Sequence, residues 1–321
     1  MKKLAIVGSG LFGLAAAEAL LGAFEITCYS QEAPSASEAA LGLLHPFVGK
    51  EAKLNDKGRE ALAASLDLLE KASSYVEVPF HRETGLLRIA INETQAQAFQ
   101  KSAELHPEIE LYSKQKCETW ITGEAPHGGC FIHSAHSVDT PTYLVALKKF
   151  LIKKGCRFVH QQIENLAELD SYDQVLLATG ASTAQLFPSL KLQIIKGQLL
   201  TFSWDEQLSH PPFPIMKKKT LAVSDSLSAW AGATYERDFE SATPDKETAV
   251  NEIIPEILAL YPEWKVPKKI QVRAGLRAFT SDRRPLVKRI HERLVIATGL
   301  GSKGLLYHAF YARNLLSLFE G

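Results

Sequence analysis

The chain has 321 residues, enough to bury a large core as one large or two moderate domains. Its 36 Lys and Arg balance 36 Asp and Glu, with the signs mixed along the chain, so there is no electrostatic case for a nucleic-acid partner. Four widely spaced cysteines without a C-x-x-C pair suit a reduced compartment, and no apolar run is long enough to cross a bilayer, so the expected location is the cytoplasm.

Residues 4–7 form a short apolar strand that runs into Gly8-Ser9-Gly10-Leu11-Phe12-Gly13, and an Ala/Leu-rich helix follows. Strand, G-x-G-x-x-G and helix in that order are the context in which the glycines mean dinucleotide binding. Gly8 permits the tight turn, and Gly10 leaves space for a pyrophosphate against the backbone. Gly13 lets the helix pack closely on the sheet, with the helix amides facing the phosphates. Residues 25–29 read as the second strand. A ribose-binding carboxylate is expected roughly 20 residues beyond the glycines. The first acidic residue after that strand is Glu32, either that ligand or a plain surface residue. No Arg stands beside it to favour a 2′-phosphate.

Residues 34–47 begin polar and turn apolar, which predicts a short helix and a turn whose small residues are able to run beneath a flat ring. Leu62, Leu66 and Leu69 form a helical stripe within 55–73. A strand at 85–90, a polar helix at 93–104, irregular chain through Pro126, Gly128 and Gly129, and a returning strand at 130–133 predict a smaller sheet-containing domain inserted into the first. A helix over 143–154 and a strand over 156–159 lead to the apolar run ending at Thr179-Gly180. This run suits a central parallel strand with both faces covered and a ligand at its carboxyl end. Further strands are expected at 194–202, 220–223 and 229–235. An amphipathic helix follows at 249–261, broken by Pro255 if its first turns are counted, and 269–279 is extended. The chain closes with a strand at 294–297, a Gly-rich turn at 298–304 and a helix to about 319. This second strand–Gly–helix junction directs amides and a positive helix end at an anionic or electron-rich group. Ten histidines include no H-E-x-x-H and no compact Cys/His cluster, so no metal site is expected.

In this pattern the chain resembles the FAD-dependent oxidoreductases of the D-amino-acid oxidase superfamily. It is similar in particular to glycine oxidase and to the flavin domain of the bifunctional enzyme that matures the 5-methylaminomethyl group of wobble uridine in tRNA. The likeness runs through almost the whole chain. It is carried by the N-terminal glycines, by Tyr29-Ser30-Gln31-Glu32-Ala33-Pro34, and by Gly232-Ala233-Thr234-Tyr235-Glu236-Arg237. The C-terminal part is Gly275-Leu276-Arg277 with Asp282 and Pro285, then Gly299-Leu300-Gly301-Ser302-Lys303-Gly304-Leu305.

The resemblance implies an α/β fold: a discontinuous Rossmann-like FAD-binding domain from residues 1–78, 140–192 and 280–321, and a smaller sheet-rich substrate domain from 79–139 and 193–279. FAD is the implied cofactor, held by Gly8, Gly10, Leu11, Phe12, Gly13, Glu32, Thr179, Gly180, Gly301, Ser302, Lys303, Gly304 and Leu305. The turn from Gly301 to Leu305 is placed by the resemblance at the N1 and C2 carbonyl side of the flavin. The implied reaction oxidises the C–N bond of a small amine or amino acid by hydride transfer to flavin N5, followed by imine hydrolysis, with oxygen or another electron acceptor.

Arg277 resembles the arginine that clamps the substrate carboxylate; its alternative is a structural ion pair, with Asp282 as partner. Tyr235 is a candidate to close over the substrate or to hydrogen-bond its carboxylate, against the alternative of filling the sheet core. Residues 209–219 and 225–230 are candidate lid segments. Two departures stand out. No methyltransferase domain accompanies the flavin part, and His45 replaces an aromatic residue before Pro46; it reads as a turn histidine, without covalent attachment of flavin. Two other functions stay open: a stand-alone enzyme acting on carboxymethylaminomethyl uridine of tRNA, and a non-catalytic FAD-binding or assembly protein.

Overall fold

The computed structural model describes residues 1–31 and 35–320; the expected ribose ligand Glu32 lies outside them. The fold is mixed α/β with one mostly parallel and one mostly antiparallel sheet. The first sheet has six strands in the order Leu286–His291, Leu294–Thr298, Gln174–Leu177, Lys2–Val7, Phe24–Ser30 and Arg157–His160. All neighbours are parallel except the edge pair Leu286–His291 and Leu294–Thr298. Lys2–Val7 is the point where the order reverses: the next strand lies on one side, and the strand about 170 residues on lies on the other. A crevice therefore opens at the carboxyl ends of Lys2–Val7 and Gln174–Leu177.

Four helices cover one face of this sheet: Leu11–Ala19, Gly58–Ser73, Thr140–Lys153 and Gly304–Ala312. The helix expected over 55–73 forms, but its buried stripe is Ala61, Ala64, Leu68 and Leu69, with Leu62 and Leu66, expected in the stripe, half-buried at its edge. Ser65, fully buried among them, donates its hydroxyl to the carbonyls of Leu305 and Leu306 at 3.1 and 2.9 Å. The other face is thinner, with Val175, Leu177, Leu294 and Ile296 packed under Leu169, Tyr172 and Phe187.

The second sheet has eight strands: Gln271–Phe279, Gln193–Ser203, Ser228–Gly232, Thr220–Val223, Ile215–Met216, Leu86–Ile89, Gly129–Ile132 and Ile109–Tyr112. Only Ile215–Met216 and Leu86–Ile89 run parallel. Helix Lys246–Leu258 packs Ile253 and Ile257 onto it beside Trp204, Tyr261 and Trp264. Leu43–Leu44, His136–Val138 and His81–Glu83 form a three-stranded sheet.

Three local expectations differ from the structure. Residues 36–39 are turns, not a helix, and Leu43–Leu44 is a strand. Tertiary contacts take the polar groups of this segment: the Leu11 amide donates to Ser37 Oγ at 3.0 Å, and the Trp230 indole donates to the Leu41 carbonyl at 3.1 Å. The helix at 246–258 continues through Pro255. Pro255 and Asn251 are both on the exposed face, where the carbonyl that loses its donor reaches water. The C-terminal helix stops at Ala312 and restarts at Leu316, and the break lets both Leu315 and Phe319 be buried.

Candidate active site

The crevice between the two sheets holds a cavity of about 400 Å³. At one end Gly10, Leu11 and Phe12 bring the N-terminus of helix Leu11–Ala19 to its wall. A helix's first amides have no intrahelical partner and carry its positive end, so this wall suits an anion. The turn is built by close backbone approach. Gly8 has φ +109°, and a Cβ there would sit 2.4 Å from the Ala178 carbonyl oxygen. A Cβ on Gly13 would sit 1.8 Å from the carbonyl oxygen of Gly8. These two glycines thus shape the wall without lining it, while Gly10 does line it.

Ala36, Ser37 and residues 39–43 pass along the cavity beside this turn, where Ser37 Oγ accepts from the Leu11 amide. The approach needs Gly275, whose missing Cβ would lie 2.7 Å from Ala36 Cα. Gly301, Ser302, Gly304 and Leu305 line the cavity at the C-terminal junction, with Thr298 and Gly180. Thr298 Oγ1 donates to the Gly180 carbonyl at 2.9 Å and ties the two strand ends together. Thr179 and Lys303 are not in the lining; the Thr179 hydroxyl pairs with that of Thr183 at 2.8 Å. Burial pulls the Lys303 ammonium below its ordinary value.

The second sheet contributes Arg277 and Tyr235. Arg277 leaves its strand toward the cavity and donates from Nη2 to the Thr234 carbonyl at 3.2 Å. Its guanidinium lies across Gly197 on the neighbouring strand, where a Cβ would fall 1.5 Å from Nη2. Burial lowers its pKa, with the Tyr235 and Glu236 groups opposing, and an arginine remains protonated under such shifts. Among the described residues Arg277 has no ion-pair partner; Asp282 instead accepts from the Arg284 amide at 3.1 Å. The structural ion pair with Asp282 is therefore not what holds Arg277. Tyr235 is 44% exposed, so it does not fill the sheet core but stands at the cavity rim. Of the two lid candidates, Met216 and Lys218 line the cavity, whereas no residue from 225–230 does.

A ring of bonds fixes this wall from behind. Thr234 Oγ1 accepts from the Gln198 amide at 2.9 Å and donates to Glu236, and Gln198 Nε2 donates to Glu236 at 3.0 Å. Buried Lys196 pairs with Glu236 at 3.8 Å. Sequence reading missed Gly197, Gln198 and Lys196, because their role depends on which residue lies across the strand pair.

His45 is 3% exposed and lines the cavity, more deeply placed than a turn histidine before Pro suggests. Its Nδ1 has no hydrogen-bond partner among the described residues. Burial, with the Arg88 guanidinium nearby, pushes its pKa down to about 3, so it is neutral near pH 7.

The family described as FAD dependent oxidoreductase matches residues 3–318. The chain belongs to this family. FAD is accordingly its cofactor, and the observed walls fit that group: a glycine turn and helix end for phosphates, small residues along the cleft, and a buried imidazole nitrogen without a partner among the described residues. The protein is 31% identical over 155 residues to the tRNA 5-methylaminomethyl-2-thiouridine biosynthesis bifunctional protein of Maricaulis maris (strain MCS10). That match covers 46% of this chain and 24% of the relative, about a quarter of its length. Among solved structures, glycine oxidase from Geobacillus kaustophilus superposes with a TM-score of 0.83 at 18% identity, over 99% of this chain and 94% of that one. Iminodiacetate oxidase from Chelativorans sp. BNC1 gives 0.81 at 18% identity, over 99% and 95%. At these identities the likeness establishes the fold. Among the described residues, no helix of this FAD oxidoreductase is long and apolar enough to cross a membrane.

Proposed function

We propose that this FAD oxidoreductase oxidises the C–N bond of a small amine or amino acid that carries a carboxylate. The observation that carries this reading is Arg277: a half-buried guanidinium in the cavity wall, without an acidic partner among the described residues, seated over Gly197. Such a group is costly to bury unless a negative charge arrives to pair with it. Its planar fork suits a carboxylate held through two parallel bonds.

On this reading residues 1–78, 140–192 and 280–321 hold the cofactor, with Gly10, Leu11, Phe12, Gly180, Gly301, Ser302, Gly304 and Leu305 along the cavity and Gly8 and Gly13 shaping the turn behind it. Residues 79–139 and 193–279 hold the substrate. FAD supplies a two-electron acceptor for the hydride on the carbon next to the amine nitrogen. Arg277 fixes the carboxylate, so the donor carbon is held in one orientation. Tyr235 covers the outer side and limits water at the cavity mouth. The imine that leaves adds water and splits into an oxo acid or aldehyde and an amine. Oxygen or another acceptor then takes the electrons.

The sequence match to a tRNA-modifying protein supports a second reading, oxidation of a carboxymethylaminomethyl group on wobble uridine. Anaerobic mixing of the FAD-loaded protein with glycine, sarcosine, D-amino acids, D-proline and tRNA bearing that uridine separates the two. The readout is bleaching of oxidised flavin absorbance. Rapid bleaching by a small amino acid supports the first reading; bleaching by modified tRNA alone replaces it with the second. Bleaching by none of them leaves a protein that binds FAD without this chemistry.

A further inference from the structure

Three guanidinium groups meet around Tyr235. Arg277 Cζ lies 5.9 Å from the ring centre on the cavity side, and Arg237 Cζ lies 5.9 Å from it as well. Arg283 Nη1 donates to the Tyr235 hydroxyl at 3.1 Å, and its Nη2 donates to Gln193 Oε1 at 2.9 Å. The Arg283 guanidinium also stacks over Phe279, with Cζ 4.4 Å from the ring centre. Among the described residues none of the three arginines forms an ion pair. Of the nearby acids, Glu236 pairs with Lys196 and Asp282 accepts from the Arg284 amide, while Asp238 and Glu240 line a surface depression with Arg237 and form no ion pair among the described residues.

Arg283 is also held in an unusual backbone state. Its φ is +61°, the left-handed region where glycine is at ease and a long side chain is not. A charged residue kept at such a position against the local preference points to a use for its side chain. Two hydrogen bonds to neutral acceptors and a ring beneath it hold the guanidinium, while its remaining N–H donors have no partner among the described residues.

We propose that Arg283, with Arg237 adding charge beside it, is a second anion subsite at the Tyr235 rim, so that the preferred substrate is an amine with two acidic groups. One carboxylate sits against Arg277 in the cavity and the other against Arg283 at the mouth. This rests on the amine-oxidation reading above. The substrate class is then an N-carboxyalkyl amino acid or an amino dicarboxylate rather than a simple amino acid.

The test uses the FAD-loaded protein and matched secondary amines. Sarcosine carries one carboxylate; iminodiacetate and N-(2-carboxyethyl)glycine add a second at two spacings. In the wild type at least one diacid has the lower KM. Arg283→Gly removes the guanidinium and relieves the left-handed backbone, so the melting temperature holds or rises. The variant raises the diacid KM roughly tenfold, the size expected for losing one charge-assisted contact at a partly exposed site, and leaves sarcosine unchanged. Calorimetric titration with the same diacid after the flavin has been reduced by dithionite, so that no hydride is transferred, gives the same loss as a Kd, independent of turnover. An equal change for sarcosine and the diacids means that Arg283 only packs on Phe279, and overturns the proposal. So does an unchanged diacid KM. Reduction by sarcosine without any diacid preference sinks the second subsite and leaves amine oxidation standing. Bleaching by none of the amines, or by modified tRNA alone, removes the premise as well.

Discussion

Arg277 and the residue beneath it make a joint prediction. Arg277→Lys keeps the charge but cannot reproduce two parallel bonds to a carboxylate. Loss of a hydrogen bond to a charged group is worth about 1.5–3 kcal/mol, roughly one to two powers of ten in catalytic efficiency. Gly197→Ala leaves Arg277 in the sequence but puts a Cβ where its Nη2 lies, 1.5 Å away. The expected outcome is a similar fall in substrate-driven flavin reduction with FAD still bound, measured by anaerobic stopped-flow. Full activity in Gly197→Ala would show that Arg277 works from another position. His308 makes a prediction about pH. It is fully buried, accepts from the Tyr143 hydroxyl at Nε2 over 2.8 Å and donates from Nδ1 to the Leu305 carbonyl at 2.9 Å. Burial pushes its pKa from 6.5 down to about 4, against the pull of its backbone bonds. The unfolded chain therefore binds a proton below about 6.5 that the folded chain refuses until about 4, and stability falls with pH through that window. At pH 5 this difference is about 2 kcal/mol. His45, neutral down to about 3, acts in the same direction. The urea midpoint of His308→Gln should fall less steeply than that of wild type between pH 7 and pH 4.5; parallel curves would discount His308.

The glycine turn shows how one element divides into positions that build the wall and a position that faces the ligand. Gly13 meets the Gly8 carbonyl and Gly8 meets the Ala178 carbonyl, so a side chain at either separates helix from sheet. Gly10 differs. Its φ is −76°, an ordinary value for any residue, and its nearest neighbour is the end of the Ser37 side chain at 2.8 Å. Gly10→Leu should therefore fold with a melting temperature near that of the wild-type apoprotein and lose most of its FAD. The ratio of flavin to protein absorbance after purification reads this directly, and wild-type occupancy would remove Gly10 from the site. The turn, its helix and the central strand at Gln174–Leu177 were all legible in the sequence, because apolar runs and glycine spacing are local properties. The segment from Ser35 to Leu44 was not. Its Ala and Ser content favours a helix in isolation, but bonds from Leu11 and Trp230 capture it as a wall of turns and a short strand. Pro255 misled in the opposite way, since a break was expected where an exposed helix face tolerates one missing bond.

At the scale of the whole molecule, the cavity is assembled from chain segments near both termini and from the middle of each sheet. FAD bound there joins the two sheets, so it should stabilise the protein as a unit. With free FAD at about a hundred times its Kd, linkage adds about 2.7 kcal/mol, on the order of 5 °C in melting temperature for a chain of this size. Denaturation should release the flavin into solution, because it is expected to be held without a covalent bond. A flavin that stayed with the unfolded chain, or apo and FAD-loaded forms that melted together, would contradict this. The sequence by itself determined most of the long helices and strands, the phosphate turn and the membership of the FAD oxidoreductases, but not short strands such as His81–Glu83, Ile109–Tyr112 and Leu286–His291. Only the tertiary structure decided what lies around the substrate end. Pairing of Gln193–Ser203 with Gln271–Phe279 sets Gly197 opposite Gly275 and so opens the place for Arg277. It also decided that Arg237, Arg277 and Arg283 share one tyrosine, and that His45 is buried with no partner for Nδ1 among the described residues. The pair Tyr235 and Arg237 lies about 40 residues from Arg277 and Arg283, and strand register, which no local pattern encodes, is what brings the two pairs together.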